Sequence, residues 1–124
     1  MRRTASTLLT AVSVAITLGV AALTATTDSV AQDATMAAEG KKLAFNRKKG
    51  NCLACHMMDD GTLPGDIGPP LIAMKARYPS WEELRAQIYD ARGSNPNTIM
   101  PPFGTHGIIS DSEIDKITDY VWTL

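Results

Sequence analysis

The feature that most constrains this chain is a five-residue motif, Cys52-Leu53-Ala54-Cys55-His56. Two thiols three positions apart, followed directly by an imidazole, match the C-x-x-C-H pattern of covalent c-type haem attachment. One short turn allows both sulfurs to form thioethers with neighbouring vinyl groups at one porphyrin edge, while the next side chain reaches the iron. The motif predicts one covalently bound haem c, with Cys52 and Cys55 as tethers and His56 as the proximal ligand.

Two other sites could use the same cysteines. A thioredoxin-type redox pair belongs at a strand-to-helix junction in a βαβ pattern, and the sequence has no such pattern. A zinc site needs four ligands, and beyond the motif only His106 is an obvious candidate. Haem attachment is therefore the interpretation that the motif favours.

Length and composition limit the chain to one small globular domain. Its 124 residues carry 12 basic and 13 acidic side chains, and 44% are hydrophobic. This balance argues against a dedicated nucleic-acid binder, whose basic residues would dominate, and against a disordered chain. A small exported domain buries little of its own surface, so a cofactor at the centre of its core would supply the missing stability.

The N-terminus has the order of regions typical of a secretory signal peptide. Arg2 and Arg3 precede an apolar stretch over 8–25, and Ser29-Val30-Ala31 offers the small residues of a cleavage site. We predict a cleaved signal over residues 1–31, a haem-binding domain over 32–124 and a periplasmic location. The alternative is an uncleaved anchor helix, but polar residues dilute the apolar stretch, so no stable membrane insertion is expected.

The remainder predicts an all-α fold of three to four short helices around the cofactor. Apolar spacing and capping signals predict helices over 36–49, 71–77, 81–92 and 111–124. The last two begin with the capping boxes Ser80–Glu83 and Ser110–Glu113, and the third ends at Gly93. Glycine and proline make the segments between these helices loops.

Met100 is the candidate for the second axial ligand. Pro101 and Pro102 prevent a helix there, so the segment can lie across a ring face and present a soft thioether to iron. His106 is the rival and would give a bis-histidine centre. On the proximal side, the carbonyl of Pro69 could accept the second N–H of His56, although Pro69 and Pro70 could equally be simple turn residues.

These motifs together resemble class I cytochrome c over nearly all of residues 32–124. The resemblance implies the class I cytochrome c fold, with the first and last helices crossing where Gly40 meets Tyr120 or Trp122. It also implies that Pro69 gives its carbonyl to His56.

A narrower resemblance is to SoxX, the monohaem cytochrome subunit of bacterial sulfur-oxidation systems. The segments that carry it are 50–56, 68–71, 87–90, 95–104 and 113–124. It implies a periplasmic heterodimer with a SoxA-like cytochrome subunit, acting as an L-cysteine S-thiosulfotransferase. The pair would couple thiosulfate to a cysteine of a SoxYZ-like sulfur carrier and pass the electrons to a small cytochrome c.

The cysteine count adds a constraint on that function. Once Cys52 and Cys55 form thioethers, the chain has no thiol left for sulfur transfer, so a covalent sulfur intermediate must lie on the partner. We therefore predict no catalytic acid, base or nucleophile in this chain, only electron transfer. The alternatives are a freely diffusing monohaem electron shuttle and a sensing haem with an open distal position.

Overall fold

A computed structural model describes the backbone of residues 21–124 and the side chains from residue 30 onward. The signal predicted over residues 1–31 therefore lies largely outside the described residues. The chain divides into two units, Met1–Gln32 and Asp33–Leu124. In the first unit, the described backbone from Ala21 is helical. None of the helices in the described part combines the length and apolar character needed to cross a membrane.

The described residues confirm the all-α prediction with four α-helices. These are α1 (Ala21–Phe45), α2 (Met74–Arg77), α3 (Trp81–Tyr89) and α4 (Asp111–Trp122). Two short 3-10 turns, Cys52–Ala54 and Ala91–Gly93, complete the regular elements of this part. One isolated parallel bridge joins Met58 and Leu71.

Several helix bounds differ from the sequence prediction. Helix α1 is already helical at Ala21, before the predicted start at Met36, and α2 begins at Met74 and not at Leu71, after Ala73 in the left-handed region (φ 51°).

Two helix ends also differ from the prediction. Helix α1 ends at Phe45 and not near Lys49, because the side chain of Asn46 accepts the backbone N–H of Lys48 (2.9 Å) and so competes with the helix. Helix α3 ends at Tyr89 and not at Gly93. There Asp90 accepts the N–H of Arg92 and opens a separate 3-10 turn.

The predicted helix starts are confirmed at α3 and α4. Ser80 accepts the N–H of Glu83 (3.2 Å), and at α4 Ser110 and Glu113 exchange both bonds of the capping box. Ile109 and Ile114, which flank the start of α4, are both buried, as expected of a hydrophobic staple.

Helices α1 and α4 cross at Gly40. A Cβ on this residue would lie 1.7 Å from the carbonyl oxygen of Lys116 and 3.0 Å from Cβ of Tyr120, so only glycine permits this approach. The expected glycine–aromatic crossing therefore uses Tyr120, whose ring also meets Phe45 edge to face. Nearby, Lys41 of α1 pairs with Asp59 (2.7 Å) and Asp60 (2.8 Å), which ties the loop after the motif to α1.

Helix α4 contributes several of the buried side chains of the core. It packs on α3 and α2, and its inward side chains Ile114, Ile117 and Val121 are buried. Leu124, beyond the end of α4, is half-buried, and its carbonyl accepts the N–H of Met74 (2.9 Å). Asp119 accepts the indole N–H of Trp81 (2.8 Å), and burial raises the pKa of its carboxyl group.

Candidate functional site

The cysteine–histidine motif forms one tight turn at the side of a cavity. Asn51 precedes it in the left-handed region (φ 48°), which asparagine tolerates better than most residues. The N–H groups of Cys55 (3.1 Å) and His56 (2.9 Å) then both donate to the carbonyl of Cys52. This turn brings two sulfurs and one imidazole to a single cavity wall, as the sequence predicts.

The environment of Cys52 does not suit a reactive thiolate. Burial raises the pKa of its thiol to about 11. Redox and zinc-binding cysteines need the opposite shift, toward the deprotonated form. A thioether carries no charge and loses nothing by burial, so the turn fits covalent attachment better than either alternative use of the motif.

The cavity has a volume of about 690 Å³ and lies between the motif turn, α2, α3, α4 and the proline-rich loop. Its walls are mainly apolar, and several of them belong to the buried core of the domain: Met74, Leu84, Ile88, Phe103, Ile117 and Val121. A cavity of this size and character suits a flat apolar cofactor.

The imidazole of His56 is held from two sides. Its Nδ1 lies 2.7 Å from the carbonyl oxygen of Pro69, which can only accept, so Nδ1 is the protonated nitrogen and Nε2 remains free for a metal. On the other side, a Cβ on Gly68 would lie 2.3 Å from Cε1 of the ring. A bulkier residue at position 68 would therefore displace the ring.

Two further hydrogen bonds join the Gly68–Leu71 turn to the motif. The N–H of Gly68 donates to the carbonyl of Cys55 (2.8 Å), and the N–H of Leu71 donates to that of Met57 (2.8 Å). Pro69, which accepts the hydrogen bond of His56, lies between Gly68 and Leu71 in the sequence. The two backbone hydrogen bonds therefore hold the carbonyl of Pro69 in place relative to the backbone of the motif.

The structure brings Met100 into the same cavity. Met100 is half-buried and lines it together with Thr98, Ile99 and Pro101. Its N–H donates to Oγ1 of Thr98 (3.1 Å), which holds the loop in an irregular conformation. The cavity wall therefore contains both an imidazole and a thioether, the donor set of a six-coordinate haem iron.

The other candidate ligands are placed differently. His106, the rival, is exposed and is not among the residues that line the cavity. Met57 is exposed and Met58 is buried in the core away from the lining. Met74 does line the cavity, and its sulfur accepts a hydrogen bond from Nη1 of Arg77 (3.5 Å).

Three cations lie at the cavity: Arg47, Lys49 and Arg77. Lys49 pairs with Glu113 (2.9 Å), and Arg77 donates to the carbonyl of Pro70 (2.7 Å). No carboxylate lines the cavity within the described residues. This positive edge suits a cofactor that carries carboxylates, as haem does. Arg47 and Lys49 are neighbours in sequence, and the fold adds Arg77.

Comparison with known proteins agrees with this site. A family model for cytochrome c matches residues 37–124. A chain in the crystal structure of SoxXA from P. pantotrophus has a similar fold, with a TM-score of 0.62 and 26% identity; the match covers 68% of this chain and 78% of that one. An uncharacterized lipoprotein of Aquifex aeolicus (strain VF5) is 35% identical over 75 residues, 60% of this chain and 36% of the lipoprotein, so the chain spans about a third of that relative.

The family match covers most of the chain, and it includes the motif, the cavity and the point where α1 and α4 cross at Gly40. The class I fold expected from sequence and the covalent haem predicted from the motif agree with it. The chain belongs to the cytochrome c family as a SoxX-like member that carries one covalently bound haem c.

Proposed function

We propose that this chain is the haem-bearing, electron-accepting subunit of a periplasmic SoxAX-type L-cysteine S-thiosulfotransferase. The observation that carries the proposal is the similarity of its fold to a chain of SoxXA, over 78% of that chain. The partner would be a SoxA-like cytochrome subunit. A SoxYZ-like carrier would receive the sulfur, and a small cytochrome c would take the electrons.

In this proposal the residues of the chain hold and tune the cofactor. Cys52 and Cys55 would tether the haem, His56 and Met100 would ligate the iron, and Pro69 fixes the imidazole through Nδ1. The haem supplies a one-electron carrier. The apolar walls of the cavity exclude water, which favours a stable potential over ligand exchange.

The division of labour follows from the cysteine content. The sequence has two cysteines, and both belong to the motif. Neither is available to carry a sulfur intermediate once it has formed a thioether. The bond between thiosulfate and the cysteine of the carrier would therefore form at the partner, while this chain accepts electrons.

Exposed apolar side chains between the motif and α2 support an obligate partner. Met57, Leu63 and Ile72 are all exposed and lie outside the cavity lining, and Leu63 is 97% accessible. We call these three residues the apolar loop surface. Solvent-exposed apolar side chains concentrated in one segment are typical of an interaction site. The occupant we propose is the SoxA-like subunit, because the solved relative is a two-component complex.

Co-purification tests this interface. Leu63→Asp should reduce recovery of the SoxA-like partner at least tenfold from periplasmic extract while leaving the absorption spectrum unchanged. Thr62→Asp is the matched control, since it adds the same charge at the neighbouring exposed position but removes no apolar contact. Equal loss with both variants, or no loss with either, would contradict the proposed interface.

A freely diffusing electron shuttle is the second candidate function. The observation that favours it is the cationic cavity edge formed by Arg47, Lys49 and Arg77, since solvated charge around a haem edge suits transient encounters. Native periplasmic extract separates the two. We expect the chain in a stable heterodimer, and a single species with full redox activity and no bound partner would support the shuttle.

The periplasmic location depends on the predicted signal. We propose cleavage after Ala31, which leaves the cytochrome domain 32–124. Helix α1 passes through this position, so cleavage is expected before the domain folds. N-terminal sequencing of periplasmic material should begin at Gln32, whereas a chain that begins at Met1 in the membrane fraction would contradict the proposal.

A further inference from the structure

The guanidinium of Arg77, at the end of α2, makes a contact that the cationic cavity edge does not explain. Its Nη1 donates to the carbonyl of Pro70 (2.7 Å) and lies 3.5 Å from the sulfur of Met74. Pro70 directly follows Pro69, whose carbonyl accepts Nδ1 of His56. Arg77 therefore contacts the residue next to Pro69, whose carbonyl orients the proposed iron ligand.

We propose that Arg77 is a positioning residue for His56. It holds the Pro69–Pro70 segment in place, so that the carbonyl of Pro69 stays within hydrogen-bond distance of the imidazole. The inference rests on the proposed role of His56 as the haem ligand. It adds a residue and a means of tuning the reduction potential.

The two prolines explain why this segment needs a side-chain donor. Neither Pro69 nor Pro70 has a backbone N–H, so neither can bond back to the motif as Gly68 and Leu71 do. Their carbonyls are the only polar backbone groups between those two anchors. The carbonyl of Pro69 accepts a hydrogen bond from Nδ1 of His56, and the carbonyl of Pro70 accepts one from Nη1 of Arg77.

Arg77 is well held for this task. Met74, one turn earlier in α2, is 1% exposed, so its sulfur is a fixed contact for the guanidinium. Within residues 30–124 Arg77 has no ion pair, although α4 and the loops carry many carboxylates. Its Nη1 instead donates to the turn beside the proposed haem ligand.

Arg77 could act by positioning His56 or simply by its positive charge. These two roles predict opposite changes in the reduction potential when Arg77 is removed. If Arg77 holds the acceptor, its loss weakens the Nδ1–H bond and makes the imidazole a poorer donor to ferric iron, so the potential rises. If Arg77 acts only as a positive charge, its loss favours the ferric state and the potential falls. The direction of the change therefore separates the two roles.

The test compares Arg77→Gln with Lys75→Gln in the isolated haem-loaded chain. Both variants remove one positive charge from α2, but Lys75 is exposed, lies over the ring of Trp122 and does not line the cavity. For Arg77→Gln we expect about a tenfold rise in the ratio of ferrous to ferric protein at a fixed applied potential. This corresponds to about 59 mV for one electron. Lys75→Gln should leave the ratio unchanged or lower it.

The low-spin EPR spectrum gives a second measurement. We expect broader EPR signals in Arg77→Gln, because a less firmly held imidazole plane gives a wider spread of g values. Lys75→Gln should give the wild-type spectrum. A fall in potential, an unchanged potential or an unchanged spectrum in Arg77→Gln would overturn the proposal. Because both measurements use the isolated chain, failure to bind a SoxA-like partner would contradict the proposed function without affecting the result for Arg77.

Discussion

The side chain of Met100 is the proposed ligand that a spectrum tests most directly. It lines the cavity from a loop in which two prolines follow and Thr98 accepts its N–H (3.1 Å). We predict that Met100→Ala abolishes the Met-to-iron charge-transfer band and opens the sixth position to carbon monoxide. Absorption spectra of the ferric protein and of the ferrous protein under carbon monoxide measure both effects.

Met57→Ala is the control for this substitution. It removes a thioether next to the motif in sequence, but Met57 is exposed and lies outside the cavity lining. Its spectrum should match the wild type. If Met100→Ala also matched the wild type, the sixth ligand would be another group, and His106 would have to move from its exposed position to supply it.

Among the residues of the site, those with a local signal could be predicted from sequence. Cys52, Cys55 and His56 follow from the motif spacing, and the structure places Pro69 and Met100 beside the same cavity. Arg77 could not be predicted. Its contact with Pro70 depends on where α2 begins and how α2 packs against α4, which the amino-acid pattern around Arg77 does not indicate.

At the scale of the helices, the crossing of α1 and α4 depends on one missing side chain. We predict that Gly40→Ala lowers the free energy of unfolding by about 3 kcal/mol, because the added Cβ meets the backbone carbonyl of Lys116, which cannot rotate away. Denaturant unfolding of the haem-loaded protein measures the loss. Gly93→Ala is the matched control, since nothing lies within 4 Å of its added Cβ, and equal effects of the two substitutions would show that the crossing does not need glycine.

The start of α4 should make stability depend on pH. The backbone N–H of Ser110, and then Lys49, lower the pKa of Glu113 from 4.5 to about 2. A lowered folded-state pKa stabilises the protein above the unfolded value, and this contribution is lost as the pH falls from about 4.5 to about 2. We predict that Glu113→Gln costs roughly 1 kcal/mol at neutral pH and nothing at the acid end of this range.

Unfolding curves at several pH values measure this difference. Glu83→Gln is the control, because Glu83 occupies the same position in α3, while in the described part of the chain only α4 closes both bonds of the box. At neutral pH Glu83→Gln should cost less than Glu113→Gln, because it breaks no second bond of the box. A constant difference between Glu113→Gln and the wild type at every pH would contradict the capping role of the carboxylate.

Helix starts marked by a capping box were predicted correctly, whereas the starts of α1 and α2, predicted at 36 and 71, were wrong. A capping box is contained in four consecutive residues, so Ser80–Glu83 and Ser110–Glu113 mark both starts correctly. The ends of α1 and α3 depend on competition between backbone and side-chain acceptors at Asn46 and Asp90. Asparagine and aspartate are tolerated inside helices, so the sequence alone does not show which acceptor wins.

At the scale of the whole molecule, the haem is part of the core as well as the redox centre. Six side chains of the buried cluster also line the cavity of about 690 Å³, so removing the cofactor removes one side of their packing. Without the cofactor these apolar side chains would be exposed to water, and a typical domain has only about 5–15 kcal/mol of stability to offset such exposure.

We therefore predict that the chain does not fold stably without haem. The variant with both Cys52→Ser and Cys55→Ser cannot form thioethers, and it should show reduced far-UV circular dichroism and no cooperative thermal transition. Wild-type chain expressed without the haem-attachment machinery also lacks covalent haem. It should therefore show the same reduced far-UV circular dichroism and the same lack of a cooperative thermal transition. If either apo form kept wild-type helicity and a cooperative transition, the helices would form the core by themselves, and the haem would be a bound ligand and not a structural element of the fold.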